Sequence, residues 1–599
     1  MTRAATSPAT EVDRWLARFS EALAGGDPGA ASELFGDDGL WRDLVAFTWN
    51  IKTVEGPDGV RDLLEHTLAA TRPGGWRTTE APTEHDGVVS AWLAFETRAG
   101  RGYAHLRLKD GRAWTLVTAL HELKGHEEPL RGGRPRGVEH GADPARETWL
   151  EARRREASAL GREIQPEVLI VGGGQGGIAL GARLRQLGVP AIIVERNARP
   201  GDSWRRRYKS LCLHDPVWYD HLPYLPFPDH WPVFSPKDKL GDWLEMYARV
   251  MELTYWGSTE ARSARYDEEA GAWTVVVERA GAELALRPRQ LVIAMGISGL
   301  PHVPDFPGMD VFRGEQHHSS AHPGPDAYAG RRVVVIGSNN SAHDIAAALW
   351  EHGAEVTMVQ RSSTCVIRSE TLMELGLGPL YSQEAVDAGI TTERADALLA
   401  SLPYRILPEV QIPVYERIRE RDAAFYRRLE EAGFLLDFGE DGSGLHVKYL
   451  RRGSGYYIDV GASELVADGR VALQTGQVDH LTEDAVIMED GAALPADLVV
   501  YATGFDSMNG RLVDLISRET ADRVGKVWGY GSGTAKDPGP WEGEQRNMWK
   551  PTRQPALWFH GGNLQQSRHY SRFLALQLKA RAEGIDTPVY GLQEVHHPS

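Results

Sequence analysis

The spacing of apolar residues changes period along the chain. Trp15, Leu16, Phe19 and Leu23 recur at helical spacing, and Leu34 and Phe35 open a second short apolar stretch before Asp37-Asp38-Gly39. Gly56-Pro57-Asp58-Gly59 leads into residues 60–68, where Val60, Leu63, Leu64 and Leu68 share one face. The period then falls to two: Val89, Ala91, Leu93 and Phe95 alternate, then Ala104, Leu106 and Leu108, then Trp114, Leu116 and Thr118. Helices followed by an antiparallel meander predict a small α+β domain over residues 1–123. Residues 124–162 read as a linker and connector helix. The linker is rich in Gly, Pro and charge. Asp143-Pro144 then supplies a capping acid and a proline suited to the first helical position, predicting a solvated helix to about Leu160 with Arg153, Arg154 and Arg155 on its surface.

From residue 163 the pattern becomes that of buried parallel strands. Val168-Leu169-Ile170-Val171 runs into Gly172-Gly173-Gly174-Gln175-Gly176-Gly177 and then a helical stretch over 178–187. Glycines here allow a tight turn and close approach of a pyrophosphate to the positive end of the helix. A second apolar strand ends at Glu195-Arg196, roughly 20 residues beyond the loop, where a carboxylate reaches ribose hydroxyls. Strand, glycine loop, helix and terminal acid together predict a dinucleotide site.

A second loop repeats the arrangement with changes. Arg332-Val333-Val334-Val335-Ile336 ends in Gly337-Ser338-Asn339-Asn340-Ser341-Ala342 and a helix over 343–352. Asn339 replaces the middle glycine, a position where asparagine tolerates left-handed backbone but adds a side chain near the phosphates. The following strand, 356–359, ends in Gln360-Arg361-Ser362. A carboxylate at the ribose end repels a 2′-phosphate, whereas Arg361 pairs with one. That contrast assigns FAD to the first loop and NADPH to the second, with NADH as an alternative donor because Arg361 also stacks on adenine. Two further strands close on small residues and glycine: 291–294 into Ala294-Met295-Gly296, and Leu498–Tyr501 into Ala502-Thr503-Gly504. They are expected where the chain crosses between nucleotide domains. The fold class is therefore α/β: two Rossmann-like domains plus the small cone-shaped N-terminal domain. The FAD domain spans 163–329 and 497–599, and the NAD(P)H domain, 330–496, is inserted within it and carries a helical insertion over 370–450. In that insertion Tyr415, Ile418, Phe425 and Leu429 fall on one helical face over 414–432, interrupted by Asp422. Most such stripes are core, but one beside the nicotinamide would wall an apolar substrate pocket.

Composition narrows the function. With 599 residues, the chain needs two to four domains. A net charge of −17 argues against nucleic acid or an anionic membrane as a partner. Cys212 and Cys365 are the only cysteines and form no CxxC pair. A disulfide framework, a thiolate metal site and a redox cysteine pair of the disulfide-reductase type are thus not expected. The N-terminus lacks the apolar core of a signal peptide, and no apolar run reaches the ~18–20 residues of a spanning helix. A cytoplasmic location is expected.

Over about 165–599 the sequence resembles the class B flavin monooxygenases. The matching stretches are GGGQGG, Gly201-Asp202-Ser203-Trp204, 207–248, Ala294-Met295-Gly296, the terminal GGNLQQSRHYSRFLALQLKAR, and above all Phe312-Arg313-Gly314-Glu315-Gln316-His317-His318-Ser319-Ser320-Ala321-His322-Pro323. Phe312, Gly314 and His318 fit the family fingerprint, His322 fits neither branch, and Pro323 sides with the Baeyer–Villiger branch. The hybrid is similar to the type II flavin-containing monooxygenases. ELFGDDGLWRDLVAFTW likewise resembles nuclear-transport-factor-like (polyketide-cyclase-like) domains. The resemblance implies an enzyme that uses NAD(P)H to reduce its flavin, forms a C4a-(hydro)peroxide with O2, and transfers one oxygen atom to a small apolar organic substrate. A peroxy anion beside a cation gives an ester or lactone from a ketone; the protonated form oxygenates soft S or N. An uncoupled NADPH oxidase is a further alternative. The resemblance implies that Arg368 stabilises the anion, that His214 or Asp215 touches the flavin, and that Ser203, Trp204, Ala294, Gly296, Thr503, Gly504 and Gln565 join the cofactor contacts. His318 and His322 are read as structural hinge residues. The N-terminal domain is expected to pack on the flavin core or to build a homodimer. Acid/base work in its own pocket would call on Asp37, Asp38, Asp43 or His66.

Overall fold

The computed structural model describes residues 7–597. Two five-stranded parallel sheets organise residues 163–597. The first runs, edge to edge, Tyr255–Trp256, Ala191–Val194, Val168–Val171, Gln290–Ile293, Leu557–Phe559. The second runs Glu315–His318, Leu498–Tyr501, Arg332–Ile336, Glu355–Gln360, Ala472–Thr475. The central strands of both are apolar and buried on each face, as parallel strands under helices must be. Each unit also carries a three-stranded antiparallel meander, before the strand Gln290–Ile293 in the first and before Leu498–Tyr501 in the second: Thr259–Asp267, Ala272–Arg279 and Ala282–Leu286 in the first, Val478–Leu481, Ala485–Met488 and Ala493–Pro495 in the second. The two units thus repeat one plan.

That repeat changes the expected crossing points. Leu498–Tyr501, read above as the start of the return to the first domain, is the strand after the meander in the second sheet, the counterpart of Gln290–Ile293 in the first. The fingerprint strand Glu315–His318, placed by the reading within 163–329, is the edge strand of the second sheet. The strand that returns to the first sheet is Leu557–Phe559. Short apolar strands ending in Ala-x-Gly look alike in sequence; only their hydrogen-bonded neighbours distinguish them.

The connector helix also starts later than predicted, at Trp149. Thr148 and Glu151 form a reciprocal capping box that satisfies the first amides, whereas Asp143 accepts from the Ala145 amide in a turn. Arg153 and Arg185 then tie the helix to the first unit through Glu156 and Glu252.

The N-terminal domain is a curved sheet with helices Pro8–Gly25 and Gly56–Thr71 against it. Strand Phe35–Leu44, which precedes the second of these helices, pairs in parallel with Arg112–Leu123, so the sheet is mixed. Its interior is filled by interlocking rings of Trp15, Phe19, Phe35, Trp41, Trp76 and Phe95. Asp43 lies inside this packing with its carboxylate accepting from Thr118 Oγ1, Thr48 Oγ1 and the amides of Phe47 and Thr48. Burial raises its pKa to about 6 against the pull of those donors. Asp37, Asp38 and His66 stand on the surface, so the four candidates do not converge on a pocket.

The domain packs against the helical insertion and the C-terminal segment. Arg42, 1% exposed, donates through Nε and Nη2 to Glu544, also 1% exposed, at 2.7 Å each, and through Nη1 to the Ala400 carbonyl. Arg394 grips Glu80 with both terminal nitrogens, and Arg107 bonds Ser401. Among the described residues no helix is long and apolar enough to cross a membrane.

Candidate functional site

A cavity of about 920 Å³ opens at the first loop. The loop's shape follows from Gly172, whose φ is +113° and whose missing Cβ would stand 2.4 Å from the Ala294 carbonyl oxygen. Gly174 does the opposite: only Ser203 Oγ, at 3.8 Å, would meet its Cβ, so the backbone there is bare toward the cavity. The helix Gln175–Gln186 starts at this point with Gly174 as its N-cap and no side-chain cap. Its first amides therefore lack the partner a capping side chain would give, and they mark an anion site. Glu195 ends the second strand, lines the cavity, and accepts from the Gly173 amide at 2.7 Å and from Asn197. The acid thereby fixes the loop and faces the ribose position. Volume, bare backbone, helix terminus and acid fit a flavin dinucleotide.

Of the predicted contacts, Gly172, Gly174, Gln175, Gly176, Glu195, Arg196, Ser203, Trp204, Ala294 and Gly296 line this cavity. Gly177 sits behind it, where a Cβ would meet the Gly172 carbonyl at 2.0 Å. The rest of the lining was not predicted, although part of it touches the first loop: a Cβ on Gly176 would stand 3.2 Å from Gly561 Cα, and Gln175 donates to the Gly562 carbonyl. It includes Tyr449 and Tyr456, from the helical insertion and the strand after it, and Gly561, Gly562 and Asn563, from the loop after the returning strand. The double glycine in GGNLQQ, at φ +151° and +104°, was the available signal. The prediction took Gln565 instead, which is buried and donates to Asp396. Asp396 is already held by Arg568 at 2.8 Å, and Arg568 in turn donates to the Tyr219 and His221 carbonyls. Tyr449 Oη donates to Gln566 and accepts from the Asn563 amide, and Asn563 donates to Tyr219.

The second loop repeats the first. Gly337 has φ +132°, and its Cβ would meet the Ala502 carbonyl at 2.3 Å. Asn339, N-cap of the helix Asn340–Glu351, has φ −98° and ψ −170°, close to the −76° and −170° of Gly174. It needs no left-handed backbone; the cost of the substitution is only the side chain. Ser338 Oγ bonds Thr364 Oγ1, and Asn340 Oδ1 accepts from the Ile458 amide, so these two brace the loop, while Ser341 follows in the first helical turn. Arg361 and Ser362 are exposed just beyond the next strand, and Arg361 has no ion-pair partner among the described residues. Thr503 and Gly504 serve the junction: Thr503 donates to the His302 carbonyl, and the Gly504 carbonyl faces His318 Nε2 at 3.0 Å. His318 also bonds Ser320, and His317 bonds His322 at 2.9 Å.

The three residues expected to act on the flavin or its peroxide, Arg368, His214 and Asp215, stand away from the cavity lining. Arg368 is on the surface side, 3.7 Å from Asp422 and above the Phe425 ring. The aromatic stripe of the insertion, Tyr415, Ile418, Phe425 and Leu429, is core of the second unit, but the single helical stretch expected over 414–432 is two helices, Leu407–Arg421 and Ala423–Glu431, that break at Asp422. His214 Nε2 lies 3.4 Å from Asp344 Oδ1 on the second nucleotide helix. Burial lowers its pKa, Asp344 more than offsets this, and the net shift is upward. Asp215 has no hydrogen-bond partner among the described residues, and burial pushes its pKa up to about 6, with His214 opposing.

Because that pKa exceeds the ordinary 3.8, Asp215 costs stability as pH rises through about 6, and costs nothing below the unfolded value. Asp215→Asn is therefore expected to stabilise the holoprotein at pH 8 by on the order of 1–2 kcal/mol and to change little at pH 4. Thermal melts at the two pH values check this; a pH-independent effect contradicts it.

Two nucleotide loops in one chain, the first opening on a dinucleotide-sized cavity, define a two-dinucleotide flavoprotein. Residues 197–376 match the flavin-binding monooxygenase-like family and residues 16–116 the SnoaL-like domain. The chain is 31% identical over 388 residues to indole-3-pyruvate monooxygenase YUCCA1 of Oryza sativa subsp. japonica, spanning 64% of this chain and 84% of that relative. The protein belongs to the flavin-binding monooxygenase family and carries a SnoaL-like domain at its N-terminal end. In fold it is similar to ε-caprolactone-bound cyclohexanone monooxygenase, at a TM-score of 0.51 and 18% identity over 70% of this chain and 88% of that one. The OTEMO complex with FAD and NADP gives 0.50 and 19% over 70% and 86%.

Proposed function

We propose that the protein is an FAD-dependent, NAD(P)H-consuming monooxygenase that delivers one oxygen atom of O2 to the carbonyl of a small ketone, giving an ester or lactone. The observation that carries the flavin assignment is the cavity between Glu195 and the Tyr449–Tyr456–Asn563 wall, built on the bare backbone of Gly174. The second loop takes the nicotinamide coenzyme, with Arg361 toward its 2′-phosphate. Support for FAD and NADP comes from the OTEMO complex, whose fold this chain shares. Support for a carbonyl acceptor comes from the names of two similar proteins, an indole-3-pyruvate monooxygenase and a cyclohexanone monooxygenase.

Bound flavin supplies the two-electron chemistry that activates O2. The chain supplies position and dryness. Glu195 and the loop amides hold the adenosine diphosphate end. Tyr449 and Asn563, locked through Gln566 and Tyr219, form part of the cavity wall and would help to keep water from a bound flavin.

One observation favours a second reading, oxygenation of soft sulfur or nitrogen. Arg368, the cation that the resemblance assigned to the anionic route, points away from the cavity toward Asp422. A competition experiment decides: holoenzyme, NADPH and O2 with equal concentrations of a cyclic ketone and a thioether. Lactone as the main product is expected. Sulfoxide with no lactone overturns the carbonyl preference.

A further inference from the structure

Five arginines line the cavity: Arg196, Arg206, Arg207, Arg262 and Arg511. Arg262 is paired with Glu260 and Glu278, Arg206 donates to Asn197, and both Arg196 and Arg206 are exposed to solvent. Arg207 differs. It is removed from solvent far enough that burial lowers its pKa, yet no carboxylate lies within ion-pair distance among the described residues. Its single hydrogen bond is a long one, Nη2 to the Ser298 carbonyl at 3.5 Å, and its guanidinium is 5.5 Å from the centre of the Phe505 ring. A desolvated cation without a counter-ion is costly unless a ligand supplies the charge.

The neighbours of Arg207 show which ligand. Ser298 follows the strand Gln290–Ile293 of the first sheet, Phe505 follows Leu498–Tyr501 of the second, and Ser320 and Ala321, also in the cavity lining, follow the fingerprint strand. The next residue, Tyr208, donates to Asp344 on the second nucleotide helix at 2.7 Å. Arg207 therefore stands where the two nucleotide units meet, next to a tyrosine whose hydroxyl is tied to the helix of the second loop. The anion site of the first loop is already made by the helix that begins at Gln175, beside Ser203.

We propose that Arg207, although part of the first nucleotide unit, binds the diphosphate of the nicotinamide coenzyme as that coenzyme passes from the second loop toward the flavin. The inference rests on the coenzyme assignment above and deepens it. Arg361 would read the 2′-phosphate, which only NADPH has, whereas Arg207 would read the diphosphate common to NADPH and NADH. The two arginines then have separable effects.

The test is calorimetric titration of FAD-loaded protein with NADP+ and with NAD+, using wild type, Arg207→Gln, Arg207→Lys and Arg361→Ala. Loss of a charge-assisted contact is expected to raise both dissociation constants of Arg207→Gln by a similar factor, about 10- to 100-fold. Arg207→Lys is expected to recover part of the loss, because the charge remains without the planar fork. Arg361→Ala is expected to weaken NADP+ only. Flavin absorbance per polypeptide reports folding and FAD content and is expected to stay at the wild-type value. Unchanged constants in Arg207→Gln overturn the proposal. So does loss of FAD with coenzyme binding intact, which would assign Arg207 to the flavin diphosphate, and so does an effect confined to NADP+. Wild-type protein that binds neither coenzyme overturns the coenzyme assignment and this inference together.

Discussion

Replacing Gly172 by alanine is expected to cost the protein most of its flavin. The added Cβ would lie 2.4 Å from the Ala294 carbonyl oxygen, 2.6 Å from its carbon and 2.9 Å from the Met295 amide nitrogen, all backbone atoms. No flexible side chain is available to move aside, and φ at +113° is strained for any residue with a Cβ. Relief requires the loop to lift away from the Gln290–Ile293 strand, which displaces Gly174 and breaks the bond from the Gly173 amide to Glu195. The expected result is a folded protein, since the strands on both sides are untouched, with flavin content reduced by roughly an order of magnitude or more. Absorbance of the purified protein and refolding titration with FAD measure it. Wild-type flavin content in the variant would show that the loop is not the cofactor cradle.

Removing one partner of the Arg42–Glu544 pair gives the largest expected loss of stability. Both side chains are almost fully enclosed, and the guanidinium holds Glu544 through two bonds while its third nitrogen takes the Ala400 carbonyl. Burial alone lowers the Arg42 pKa, but Glu544 reverses the sign and holds it well above the ordinary value. Arg42→Ala leaves Glu544 buried with Thr53 as its remaining hydrogen-bond donor. The expected cost is about 3–5 kcal/mol, the range for an orphaned buried charge. The double variant Arg42→Met with Glu544→Leu is expected to recover most of it. Denaturant melts of the four proteins check this. A single-variant loss under about 1 kcal/mol would mean that the N-terminal domain is held by its other contacts.

The two nucleotide loops could be read from sequence because the demand there is local. Gly172 and Gly337 each press against the carbonyl of an alanine that ends a neighbouring strand, and a backbone requirement of that kind leaves glycine as its signature. The acid at Glu195 and the arginine at Arg361 follow from strand length in the same way. What could not be read depends on which distant segments meet. Leu498–Tyr501 and Leu557–Phe559 are equally apolar and equally short, yet they belong to different sheets. The cavity wall draws Tyr449 and Tyr456 from hundreds of residues beyond the first loop, with no periodicity to announce it. Arg368 was placed by its distance from a motif, but the strand Cys365–Arg368 pairs with Tyr456–Asp459 and ends with that side chain near Asp422. Asp43, a candidate acid by residue type, is consumed by four hydrogen bonds inside an aromatic core. Residue type proposes chemistry; packing decides whether the group is free to perform it.

The central claim is that this protein uses its flavin to put one atom of O2 into an organic molecule. The most direct measurement is the mass of product formed by the holoenzyme under ¹⁸O2 with NADPH and a cyclic ketone or a thioether. The account predicts one ¹⁸O atom per product molecule and one NADPH consumed for each. NADPH oxidation that yields only labelled hydrogen peroxide, with neither substrate labelled, would contradict it.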